Sequence, residues 1–192
     1  MRLLTLAFVA AVVGDSPDAH GFTGGPVRAE IVGYAPVDAR IYFRLHAQDD
    51  SGSPPRAWYI DLDGTRPRRP VRARSVEDPD TTYGGSWTTP AWQALRRRLV
   101  PLVADSVSTL EWAARATTSG EDTGEQVAIL PLSVDLRSAG RSAHVDVTAF
   151  CNPMVGVRGI YGIPGREERL VVLTYVGRAY GCQEVETPIV LE

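Results

Sequence analysis

The chain has 192 residues, 44% of them hydrophobic and 22% charged, with a formal net charge of −3. That balance excludes a disordered polar chain and gives no bulk attraction to nucleic acid or to an anionic membrane. Every basic residue is an arginine, as expected of GC-rich bacterial coding, so lysine is missing from any catalytic scheme.

Met1-Arg2 is a basic start, and Leu3 to Val13 is an uninterrupted apolar run. The run is shorter than the about 20 residues of a spanning helix and has the form of a secretory leader. Small residues at Val12-Val13-Gly14 and at Ala19-His20-Gly21 offer two cleavage sites, and the second leaves a polar segment of ordinary length. The expectation is a cleaved leader over residues 1–21 and a single β-rich domain over 22–192. That domain would have no membrane span and would be periplasmic or secreted. There, the chain's two cysteines, Cys151 and Cys182, predict one disulfide.

Beyond the leader, alternation with a period of two dominates the chain. Val27 to Tyr34 reads as a strand, and Arg40 to Gln48 sets Ile41, Phe43 and Leu45 on one face. Asp49 to Pro55 is turn chemistry, after which Trp58, Ile60 and Leu62 alternate up to Asp63-Gly64. Val71 to Ser75 is a further strand. One helix, over about residues 90–100, is predicted from a Thr88 or Thr89 cap, Pro90 in the first turn and Trp92, Leu95, Leu99 and Leu102 at helical spacing. Leu110, Trp112, Ala114 and Ala116 share a strand face. Ser119 to Glu125 is a polar loop. Leu130 to Leu136 and Ala143 to Cys151 pair as a hairpin, with Pro131 implying an edge or a bulge. Gly156, Gly159, Gly162 and Gly165 mark an irregular loop carrying Val157, Ile160 and Tyr161. Residues 170–176 are apolar on both faces, as in a central strand, and Glu184 to Leu191 pairs with them. The fold class is therefore mostly β: an antiparallel sandwich or partly open barrel with one short helix.

The hairpin carries the first candidate chemistry. A turn on Ala139-Gly140 places Leu136 opposite Ala143, Val134 opposite Val145 and Leu132 opposite Val147 on the apolar side. The same register sets Asp135 opposite His144 and Ser133 opposite Asp146 on the polar side. Ser133, His144 and Asp135 match a hydrolase relay, in which His takes the Ser proton and Asp orients His. Alternatively, His144, Asp135 and Asp146 are zinc-type ligands, or the face is simply a solvated sheet surface.

A second constellation, Trp58-Tyr59-Ile60-Asp61-Leu62-Asp63-Gly64-Thr65, resembles the first motif of the haloacid-dehalogenase-like phosphatases. The resemblance implies an α/β core, bound magnesium, Asp61 as nucleophile, Asp63 as acid/base and Thr65 in support. The residues alone read Asp63-Gly64 as a tight hairpin turn. Arginines form the third feature: Arg66, Arg68, Arg69, Arg72 and Arg74, then Arg96, Arg97 and Arg98. Side by side, Arg72, Arg74, Arg96 and Arg97 would make a patch for anionic glycans or phosphates, with Tyr161 of the glycine segment as a further contact. The functional expectation is an exported, non-catalytic binding or accessory module of the bacterial envelope, its partner an anionic glycan or an envelope protein. No cofactor is expected for it. The alternative is a hydrolase, with magnesium or zinc entering only there.

Overall fold

The computed structural model describes residues 26–47, 56–64, 68–76, 89–117, 129–178 and 182–192. The leader, the 49–55 turn and the 119–125 loop lie outside them. The elements in chain order are β1 (Val27–Ala35), β2 (Arg40–Ala47), β3 (Arg56–Asp61), β4 (Val71–Arg72), α1 (Pro90–Arg96), β5 (Val103–Asp105), β6 (Glu111–Ala116), β7 (Ile129–Ser138), β8 (Arg141–Phe150), β9 (Val155–Gly162), β10 (Arg169–Arg178) and β11 (Gln183–Leu191). They form an eight-stranded sheet in the order β4-β3-β2-β1-β11-β10-β9-β5 and a three-stranded sheet β6-β7-β8. The fold is mostly β and sandwich-like, and the large sheet is not closed into a barrel.

Three apolar clusters hold the layers together. Leu132, Val134 and Leu136 of β7 meet Val171, Leu173 and Leu191 of β10 and β11, which sets the small sheet on the large one. The neighbouring residues Leu170 and Val190 point the other way and join Ile41, Phe43, Ile60 and Leu62. β10 and β11 are thus covered on both faces, which explains why residues 170–176 lack alternation. On the far side of β2 and β3, Tyr42 and Ala57 pack with Trp92 and Leu95 of α1.

α1 begins as its sequence demands: Thr89 accepts from the Trp92 N–H at 3.1 Å, and Pro90 occupies the first turn. It ends at Arg96, short of the expected residue 100. The reason is Val100, whose N–H and C=O both bond to Tyr34 at 2.8 Å and draw the chain into an extended bridge. Two other expectations are corrected. Residues 71–75 give only the two-residue β4 and then a 3₁₀ turn over Arg74–Val76. The glycine-rich segment is not a loop through Gly162 but strand β9, paired with β10, and only its end at Gly165 lies in a turn.

Among the described strands, the junction of β1 with β11 is the one parallel pairing, and it is registered only at Val27↔Val185. Beyond it, side chains satisfy the backbone. The Ala29 N–H donates to the Glu186 carboxylate at 2.7 Å, and the Ala29 C=O accepts from Arg158 at 3.2 Å. The Glu186 side chain is fully buried, and Arg28 and Arg158 both pair with it. A carboxylate and a guanidinium therefore act as ladder partners where the two strands part.

The cysteines form the expected disulfide, with Cα atoms 5.8 Å apart. It ties the end of β8 to the start of β11, and so the small sheet to the large one. On the chain-entropy model, closing that loop contributes about 3–4 kcal/mol. None of the described helices is long and apolar enough to cross a membrane.

Candidate functional site

The β7–β8 hairpin follows the register read from the sequence at every pair. Leu132↔Val147, Val134↔Val145 and Leu136↔Ala143 lie on the apolar side, and Ser133↔Asp146 and Asp135↔His144 on the other. Ala139 and Gly140 both have positive φ, 49° and 78°, as a two-residue type I′ turn requires. Pro131 sits in the central strand of the small sheet rather than at an edge. Its C=O accepts from the Thr117 N–H at 3.0 Å, while its missing N–H falls where the β6 ladder runs out.

On the polar face the side chains connect. Ser133 Oγ lies 3.2 Å from His144 Nε2, and His144 Nδ1 lies 2.8 Å from Asp135 Oδ1. Asp146 Oδ1 is 3.6 Å from His144 Nε2. The hydrogen bond to Asp135 raises the His144 pKa above its ordinary value, and His144 in turn lowers that of Asp135. The cluster has the connectivity of a Ser-His-Asp relay, but it stands on an open surface, with the His144 side chain 59% exposed. Arg115 of β6 and Asp146 of β8 flank Ser133 in the ladders. The backbone N–H groups of β7 are therefore engaged by neighbouring strands and are not free to form an oxyanion hole. Arg115 is the cation placed beside Ser133 in the sheet. Among the described residues, no set of His, Cys, Asp and Glu is arranged to hold a metal ion.

Asp61 and Asp63 stand in a different setting from the one the phosphatase resemblance implies. β3 lies between β2 and β4 and runs antiparallel to both, in a mostly β chain rather than an α/β core. Asp61 accepts from Arg40 at 3.4 Å and from the Asp63 N–H at 3.2 Å, which closes a local turn. Asp63 pairs with Arg166 at 2.8 Å. Thr65 lies outside the described residues.

Arg166 belongs to a network that sequence reading missed. It binds Glu168 at 2.8 Å, and Arg68 reaches Glu168 at 3.4 Å and Glu192 at 3.1 Å. The Arg166 hydrogen bond, against the opposing effect of burial, pulls the Glu168 carboxyl down to about 2. A cavity of about 300 Å³ beside it is lined by Arg141, Arg166 and Arg169. Each of these has its own carboxylate: Glu167, Glu168 and Asp105.

The Arg74–Val76 turn packs against the start of α1. Thr89 Oγ1 donates to the Val76 C=O at 3.0 Å, and Ala73 and Val76 share the third cluster with Trp92 and Leu95. The turn thus lies near the α1 N-cap, while Arg96 and Arg97 stand at the C-terminal end of the helix. Arg69, Arg74, Arg96 and Arg97 are exposed. Arg98 reaches Asp38 at 4.0 Å. Tyr161, by contrast, is partly buried in β9 against the second cluster. No protein-family model, curated protein or solved structure matches the chain.

Proposed function

We propose that this chain is an exported, non-catalytic binding module of the bacterial envelope, and that its ligand is an anionic glycan docked on the arginines around α1. One observation supports the reading: α1 packs on the Arg74–Val76 turn, which brings a second arginine-bearing segment to the helix that ends in Arg96 and Arg97, and Arg74, Arg96 and Arg97 are all exposed. Guanidinium groups recognise carboxylate and sulfate oxygens through paired hydrogen bonds. A row of them on a helix end and a turn tracks a repeating anionic chain. The experiment is calorimetric titration of the mature domain with a uronate polysaccharide at low salt. Binding should weaken steeply as ionic strength rises and be lost in the triple variant R74A/R96A/R97A. Absence of binding at low salt, or equal binding by the variant, would refute the reading.

The Ser133–His144–Asp135 geometry favours a second reading, a hydrolase with Ser133 as nucleophile, His144 as base and Arg115 facing the developing oxyanion. A fluorophosphonate probe decides it. Labelling of the wild-type domain that disappears in Ser133→Ala supports the hydrolase; no labelling removes it, as the glycan reading expects.

A further inference from the structure

Among the described strands, β6 is an edge strand of a kind that proteins ordinarily protect. The edges of the large sheet are blunt, since β4 has two residues and β5 three. At the other side of the small sheet, Ser142 of β8 exchanges backbone hydrogen bonds with Glu192 at 2.9 and 3.1 Å. β6 has six residues, each exposed, and pairs with β7 from Glu111↔Arg137 to Ala116↔Leu132 with no shift in register. It contains no proline. Trp112 lies on the face of the sheet that carries buried Leu136, yet it is 42% exposed.

The direction of the free groups follows from the ladder. Thr117 N–H bonds to Pro131 on β7, and strand residues alternate in the side to which they turn N–H and C=O. Trp112, Ala114 and Ala116 therefore offer their backbone groups outward. We infer that β6 pairs with β6 of a second copy of this chain, antiparallel about a twofold axis through Ala113, joining the two small sheets into one.

In that register Trp112 and Ala114 of opposite copies exchange hydrogen bonds in both directions, and the indole covers the small methyl facing it. Glu111 stands opposite Arg115 on the outer face, twice by symmetry. Sliding by one residue in each copy's numbering would mix inner with outer faces. Longer slides separate the charges. The charge pattern of the strand is thus complementary to itself, which selects a second copy over an unrelated peptide.

The test is sedimentation equilibrium of the mature domain up to roughly 0.1 mM, sufficient to populate a micromolar contact. A dimer is expected. Ala114→Pro removes an outward N–H that β7 does not use, and should leave a folded monomer by circular dichroism. Arg115→Glu alone, or Glu111→Arg alone, sets like charges opposite one another and should raise the dissociation constant about tenfold or more. The double exchange E111R/R115E should restore the dimer. A wild-type domain that stays monomeric overturns the proposal. So does a dimer indifferent to Ala114→Pro and to the single charge changes.

Discussion

His144 turns the polar face of the small sheet into a reporter of pH. Its folded pKa is raised, chiefly by the hydrogen bond to Asp135. The stability from this contact is therefore fully present below the unfolded-state value near 6.5 and is lost as pH rises through the higher folded value. The same pair lowers the Asp135 pKa, so on the acid side the contribution fades as pH falls through that lowered value. Between the two limits both partners are charged. In an NMR titration the His144 ring resonances should move with a midpoint above 6.5, and Asp135→Asn should bring that midpoint down. An unchanged midpoint in the variant would mean that Asp135 does not set it. The relay itself could be read in advance because cross-strand pairing follows from alternation. Its openness followed from the same pattern, since the polar residues that alternate with apolar ones along β7 and β8 mark a solvated sheet face.

At the scale of elements, the β7–β8 hairpin was the most legible part of the chain and β9 the least. Leu132, Val134 and Leu136 against Val147, Val145 and Ala143 allow only one register that keeps the faces unmixed. In β9 the glycines suggested a loop, but one of them answers a packing demand. A Cβ at Gly156 would lie 2.8 Å from Thr174 Oγ1 on the neighbouring strand, a contact invisible until β10 is in place. β6 misled in another way: Leu110, Trp112, Ala114 and Ala116 share a face, yet of these only Leu110 is buried, because the layer beneath stops short of the edge. The hairpin also carries a removable cost. Ala139 holds φ at +49°, where a residue with a Cβ is disfavoured. Ala139→Asn, which makes the Asn-Gly pair preferred in type I′ turns, should stabilise the domain by roughly 0.5–1 kcal/mol. A higher urea midpoint with an unchanged slope would show it; a lower midpoint would contradict it.

For the whole molecule the decisive residue is Glu186. Composition and alternation correctly indicated a layered, mostly β fold with one helix and one disulfide. They did not indicate that its first and last described strands would be neighbours. Such long-range parallel pairing leaves no local pattern, and nothing in the Gln183–Leu191 strand marks Glu186 as a buried residue. Its side chain instead joins Ala29, Arg28 and Arg158 at the seam. Glu186→Ala leaves the buried Ala29 N–H without its acceptor, while Arg28 keeps Glu184 and both arginines reach solvent, and should cost about 1–3 kcal/mol in a urea titration at neutral pH. A loss under about 1 kcal/mol, the size of a single ordinary hydrogen bond, would show that the seam is held by the apolar clusters alone.

The parallel seam also bears on how the chain becomes a protein at all. Among the described strands, the β1–β4 layer finds its sheet neighbour only in β11, so a chain emerging from a ribosome carries an uncompleted sheet until Gln183–Leu191 appears. Pairings this distant in sequence form slowly. The β1–β4 layer completes its sheet only when Gln183–Leu191 docks, which makes the Val27↔Val185 seam a late step of folding.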